Sequence, residues 1–194
     1  MDSTRRRFDL EAIRGDFPIL SREVHGKPLV YLDSAASAQK PVQVLNALMS
    51  AYQDTYANVH RGLHFLSEAS TDLYEAVRGK VADFIGAASG EEIVLTSGAT
   101  MSLNLIARCW AQPRLKPGDE ILISIAEHHA NIVPWQMVAE ATGARVRAFT
   151  LEDDGAFSMA QLKAEMSERT RIISVPHVSN VLGTVFPVAE IAEL

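Results

Sequence analysis

The stretch Glu120-Ile121-Leu122-Ile123-Ser124-Ile125-Ala126-Glu127-His128-His129-Ala130-Asn131-Ile132-Val133-Pro134-Trp135 decides how this chain reads. Glu120 to Ser124 is a short apolar strand, and a helical pattern opens near Val133. Between them lie two adjacent histidines, which are costly to place without a reason. Polar side chains at the carboxyl end of a parallel strand line the crevices where α/β proteins hold ligands. An imidazole there can stack, donate, accept or bind a metal.

Strands and helices alternate on both sides of this stretch. Ile93-Val94-Leu95 reads as a strand, and Leu103, Ile106, Ala107 and Trp110 stripe a helix. Pro117-Gly118 turns the chain into Glu120 to Ser124. A helix over Val133 to Thr142 precedes a strand at Arg145 to Thr150. Asp153-Asp154-Gly155 makes a turn, Met159 to Met166 a helix and Arg171 to Val175 another strand. This order implies βαβ units and a mostly parallel sheet flanked by helices.

Upstream the grammar is less regular. Residues 1–26 read as a peripheral segment with one apolar stripe of Leu10, Ile13 and Phe17. Leu29 to Leu32 reads as a strand ended by Asp33-Ser34-Ala35-Ala36-Ser37, where small residues let the backbone lie close to a neighbour. Pro41 opens a helix carrying Val44, Leu45 and Leu48, at a position where proline costs nothing. Residues 54–66 form a loop crowded with Asn58, His60, Arg61, Gly62 and His64. A long helix follows, with Ser67 as a candidate N-cap and Leu73, Val77, Val81 and Ile85 at four-residue steps.

Bulk properties narrow the function. The 194 residues are 47% hydrophobic and 22% charged, as in a soluble globular protein with a real core. A net charge of -6 argues against a nucleic-acid partner. One cysteine excludes an intrachain disulfide and fits a reducing compartment. No apolar run reaches the roughly 20 residues that span a bilayer. Arg5-Arg6-Arg7 is followed by no apolar core, so a secretory signal is not expected and a cytoplasmic location is. The sequence ends at Ile191-Ala192-Glu193-Leu194 inside an apparent helix without a C-cap, which reads as a truncation.

Three stretches could carry chemistry. In Thr96-Ser97-Gly98-Ala99-Thr100, Gly98 permits a tight turn, and the free amides of a helix start with the Thr100 hydroxyl can cradle a phosphate. An ordinary strand-to-helix turn with a threonine cap explains the same residues equally well. At Glu127-His128-His129, adjacent side chains seldom share one ion, so a metal is not expected. The open alternatives are a flat cofactor against one imidazole, or histidines that cap a helix or pair with Glu127. In His177-Val178-Ser179-Asn180-Val181-Leu182-Gly183-Thr184, Asn180 can aim a donor into the crevice, or simply start a turn. All three stretches follow strand carboxyl ends, and that convergence outweighs any single motif. Cys109, between apolar neighbours on its helix, reads as a core residue.

The strings YLDSAASAQKP, NVHRGLHFLS, TSGAT, EHHANIVPWQ and HVSNVLGT together resemble the group II cysteine desulfurases of the SufS type, which are class V aminotransferases. The resemblance runs from Phe17 to Leu194 and implies an aspartate-aminotransferase-like, type I fold that binds pyridoxal 5'-phosphate (PLP). It makes residues 27–194 an incomplete large, cofactor-binding domain. It implies that Ala99 and Thr100 bind the PLP phosphate, that His128 stacks on the ring, and that Asn180 contacts the ring hydroxyl or the substrate carboxylate. It places Ala35 and Ala36 in the substrate pocket, with His60 and Arg61 near it or at a dimer interface.

Met101 departs from the family, which usually has glutamate after the threonine. The larger departure is that Lys27, Lys40, Lys80, Lys116 and Lys163 all lack the Ser-x-His-Lys setting of the PLP lysine. The aspartate and glutamine that hold the ring, the sulfur-accepting cysteine and the carboxylate-binding arginine have no counterpart either. The resemblance implies removal of sulfur from L-cysteine to give L-alanine and an enzyme persulfide, a homodimer, and a sulfur-acceptor protein of iron–sulfur cluster assembly. These 194 residues alone are expected to be inactive. Another class V PLP enzyme, such as a selenocysteine lyase or aminotransferase relative, and a non-catalytic remnant are the alternatives.

Overall fold

A computed structural model describes residues 8–194, which form two compact units, one ending at Val94 and one starting at Leu95. The first unit holds α1 (Leu10–Gly15), β1 (Glu23–Val24), β2 (Lys27–Pro28), α2 (Val42–Ser50) and α3 (Phe65–Ile85). The Asp9 carboxylate caps α1 by accepting the Ala12 N–H. Pro41 is the N-cap of α2, and α3 stops where Gly86 takes a left-handed conformation.

Two expectations change here. Leu29–Leu32 is extended but forms no strand: the Leu29 N–H donates to the Arg22 carbonyl at 2.9 Å, and among the described residues the ladder of this unit is the two-residue antiparallel pair β1–β2. Ser67 does not cap α3, because the helix already begins at Phe65 with His64 Nδ1 accepting the Ser67 N–H at 3.4 Å. The Ser67 hydroxyl instead donates to the Asn58 carbonyl at 2.6 Å and is fully buried. Gly62 makes that burial possible, since a Cβ there would stand 2.2 Å from Ser67 Oγ. The stripe Leu73–Ile85 does lie on α3, but Leu73 and Ile85 are 53% and 62% exposed.

The second unit contains α4 (Ala99–Leu105), β3 (Glu120–Ser124), α5 (Val133–Thr142), β4 (Arg145–Phe149), α6 (Met159–Glu165), β5 (Thr170–Ser174) and α7 (Val188–Ala192). Its sheet is parallel in the order β4-β3-β5. Central β3 alternates between two cores. Ile121 and Ile123 face a cluster with Ala107, Ala111, Trp135, Val138 and Ala139, while Leu122 faces Phe149, Leu162, Phe186 and Ile191. Both faces of a parallel sheet are thus covered, and the strand is apolar at every central position.

Ile93–Leu95 is not a strand, and Val94 is 74% exposed. An extended segment becomes a strand only when a neighbouring strand takes its amides. The Ile93 N–H instead donates back to the Gly90 carbonyl at 3.1 Å, and among the described residues no strand pairs with Val94 or Leu95. Cys109 corrects another expectation, for it is exposed. After α4 the chain passes into a π-helical turn, Ile106–Ala111. The wider turn gives the buried face to Ala107 and Ala111 and leaves Ile106 and Trp110 about half exposed.

Candidate functional site

Gly98 carries φ 146° and ψ 175°, a conformation open to glycine, and it turns the chain into α4. No side chain caps this helix start. Among the described residues the backbone N–H groups of Ala99, Thr100 and Met101 have no acceptor, as the first turn of a helix dictates. The Thr96 hydroxyl steadies the turn from beneath, lying 2.8 Å from Ser102 Oγ and 3.1 Å from the Gly98 carbonyl. The Thr100 side chain is exposed, and its carbonyl accepts from Asn104 Nδ2 at 2.8 Å.

His128 lies four residues beyond the end of β3 and caps the 3₁₀ turn His129–Asn131. Its Nδ1 accepts the Ala130 N–H at 3.0 Å. A ring nitrogen that accepts bears no proton, so the neutral imidazole carries its hydrogen on Nε2. The capping alternative therefore describes one edge of the ring. His129 meets His128 edge to face, with centroids 6.3 Å apart. His128 lines a cavity of about 330 Å³ together with Thr100, Asn104, His129, Ala130, Val133 and Pro134.

A pyridine ring bearing a phosphate fits this donor set. Thr100, with its hydroxyl and unpaired amide beside those of Ala99 and Met101, can attract an anion at one wall, and the His128 imidazole stands at the other. No lysine and no thiol lines the cavity.

Next to His128 lies a polar network of Asn131, Trp135 and Ser174 that the motif reading did not single out, and Glu127, read as a possible histidine partner, adjoins it instead. Asn131 is buried, and its Oδ1 accepts from Trp135 Nε1 at 2.8 Å and from Ser174 Oγ at 2.6 Å. Glu127 has one carboxyl oxygen buried with no partner among the described residues. Burial pushes its carboxyl up, against the smaller opposing pulls of the Asn131 amide and the His128 backbone N–H. Asn104 was also missed, although its position one turn after Thr100 was a usable signal.

Asn180 sits at the tip of the loop after β5. Buried Ser179 anchors that tip, with Oγ accepting from Val181 and Leu182 N–H groups at 3.4 and 3.2 Å. The stalk is a single antiparallel bridge, Val178 to Val185. Ala99 begins α4 beside Thr100, but neither Ala99 nor Asn180 is among the residues that line the cavity.

The remaining candidates belong to the unit that ends at Val94. Ala35 and Ala36 lie in an exposed turn closed by the Ala36 N–H on the Asp33 carbonyl. His60, at φ 72°, binds the Glu75 carboxylate through Nε2 at 2.7 Å and abuts Tyr74 edge to face. That pairing, more than the neighbouring Arg78, holds the Glu75 carboxyl below its ordinary range. Arg61 is exposed.

The class V aminotransferase family matches residues 30–194 of the chain. A cysteine desulfurase of Dickeya dadantii is 53% identical over 184 residues, covering 95% of this chain and 45% of its own length. The crystal structure of the Escherichia coli cysteine desulfurase CsdA superposes with a TM-score of 0.80 at 40% identity, covering 97% of this chain and 46% of that one. The apo cysteine desulfurase of Thermococcus onnurineus gives 0.86 at 35% identity, covering 100% of this chain and 45% of that one. This chain thus spans a little under half the length of the relatives it matches. Its fold is the α/β fold of the type I PLP-dependent enzymes, and the chain belongs to the class V aminotransferase family.

Proposed function

We propose that this chain supplies the phosphate-binding and ring-stacking walls of a PLP-dependent cysteine desulfurase of the group II, SufS-like kind. The observation that carries this reading is the shared cavity of Thr100, beside the unpaired amides of the α4 start, and His128. Ala99 and Thr100 hold the phosphate through backbone amides and the Thr100 hydroxyl. His128 lies against the ring as a neutral imidazole, which adds contact without placing a second cation there. PLP, when bound, supplies an electron sink for bond cleavage beside the amino group of an amino acid.

In the complete reaction the sulfur of L-cysteine passes to an enzyme thiolate and L-alanine leaves. Asn180 contacts the ring hydroxyl or the substrate carboxylate, and Ala35, Ala36, His60 and Arg61 belong to the substrate pocket or a dimer interface. Residues 27–194 form part of the cofactor-binding domain and residues 1–26 a peripheral segment. A cytoplasmic homodimer that hands sulfur to an acceptor protein of iron–sulfur cluster assembly completes the reading. Because no lysine or thiol lines the cavity, residues 1–194 alone bind the cofactor without desulfurase turnover.

Binding of PLP and of pyridoxal, which lacks the phosphate, tests the proposal by equilibrium dialysis on this chain. PLP is expected to bind tighter, and Thr100→Val to weaken PLP alone, by roughly tenfold for a lost bond to a charged group. His128→Ala weakens both ligands. Equal affinity for the two, or indifference to both substitutions, overturns the reading.

A further inference from the structure

Asn131 stands where three parts of the second unit meet. It closes the 3₁₀ turn whose Ala130 N–H reaches His128 Nδ1, and its own N–H donates to the His128 carbonyl at 2.8 Å. Its side-chain oxygen takes one hydrogen from Trp135 in α5 and one from Ser174 at the end of β5. Two donors on that oxygen fix which end of the amide is which, so the NH₂ end is the one left for the Glu127 carboxyl. At 7% exposure the side chain has almost no access to water that could replace these partners. Nothing else about the turn demands asparagine, since His128 itself caps it.

We propose that Asn131 is a positioning residue for His128. Held from two sides by Trp135 and Ser174, it keeps the 129–131 turn in the one arrangement that puts the Ala130 N–H on Nδ1. The ring then carries its single hydrogen on Nε2 and keeps one orientation beside the cavity. Ser174 is the residue of β5 paired with Ile123 of β3, so the same bond ties the loop carrying His128 to the strand that leads to Asn180. The use of this arrangement in catalysis rests on the proposed PLP site, whereas the tautomer can be read with no ligand present.

The experiment is long-range ¹H–¹⁵N correlation of the histidine rings in the 194-residue chain, with the six histidines assigned by substitution. His128 is expected to show the pure Nε2–H pattern. Asn131→Leu should replace it with an average of the two tautomers, while His129 keeps its own pattern. A Trp135→Phe, Ser174→Ala double variant removes both donors while keeping an aromatic ring in the core, and should lose the pattern as well. Restoring a hydroxyl, with Ser174→Thr in the Trp135→Phe background, should recover it. A pure Nε2–H pattern that survives in the folded Asn131→Leu chain or in the double variant overturns the proposal. So does a parallel change at His129, which marks general loosening of the turn. Failure of PLP to bind while the tautomer behaves as expected sinks the desulfurase reading and leaves this one standing.

Discussion

Ser174 Oγ donates to Asn131 Oδ1 at 2.6 Å, fastening the end of β5 to the turn that follows β3. The bond joins residues far apart in sequence and lies where water has little access. Ser174→Ala leaves Asn131 with Trp135 as its remaining donor. The expected loss is about 1 kcal/mol, the usual worth of one partly buried hydrogen bond, measured by urea unfolding.

The two units respond differently to truncation of apolar side chains. Phe149 is fully buried among Leu122, Leu162 and Phe186, so Phe149→Ala costs about 3–5 kcal/mol. Leu73 is more than half exposed on α3, and Leu73→Ala changes stability by less than about 0.5 kcal/mol. Denaturant titration of both variants checks the contrast, which a large loss at Leu73 would contradict.

Glu127 makes stability depend on pH in an unusual direction for a carboxylate. Its folded-state value is raised, chiefly by burial. A raised acid favours the folded state while protonated. That contribution is complete below the ordinary glutamate value of about 4.3 and is lost as the pH rises through the raised one. Glu127→Gln, neutral throughout, should match the parent near pH 4 and exceed it near pH 7. The gain is about 1 kcal/mol, the scale of an unsatisfied buried acceptor. Thermal melts at the two pH values measure the difference, and a gain that is larger at the acidic end refutes the assignment.

Gly98→Ala isolates the backbone of the α4 start. An added methyl meets nothing within 4 Å, so the cost comes from φ alone. About 1–3 kcal/mol is expected for that conformation. If the residue relaxes instead, the first amides of α4 turn with it, and PLP affinity falls together with that of Thr100→Val. An unchanged melting temperature and unchanged affinity would show that this φ is not required.

The unit ending at Val94 exposes Leu32, Leu63 and Phe84 almost completely, at 91%, 99% and 91%. Surface of that kind associates. Sedimentation velocity of residues 1–194 should show species larger than a monomer, and Phe84→Glu should reduce them.

The second unit was the more legible in sequence because its information is local. The unbroken apolar run of β3, the stripe of α5 and the turn at Gly155 each state their own structure within a few residues. The extended runs Leu29–Leu32 and Ile93–Leu95 read the same way but form no ladder, because pairing depends on a partner that periodicity does not name. Cys109 was misplaced because it was judged by its apolar neighbours in sequence, whereas the π-helical turn buries only Ala107 and Ala111. In the site, His128 and Thr100 could be read from residue type and position. Asn131 could not, for its importance lies in partners at Ser174 and Trp135, nor could the buried Glu127 Oε1, which has no partner among the described residues.

Since Ile121 and Ile123 feed one core and Leu122 the other, β3 cannot slide by a single residue without exchanging the contents of both. The strand therefore works as a ruler whose zero is set deep in the protein and whose last mark is His128. Adding or deleting one residue between Ser124 and Glu127 would leave Ile121, Leu122 and Ile123 in their cores, shift Ala126 on the edge of one of them, and misaim the ring. The length of that short connection should therefore be far less tolerant of change than its composition.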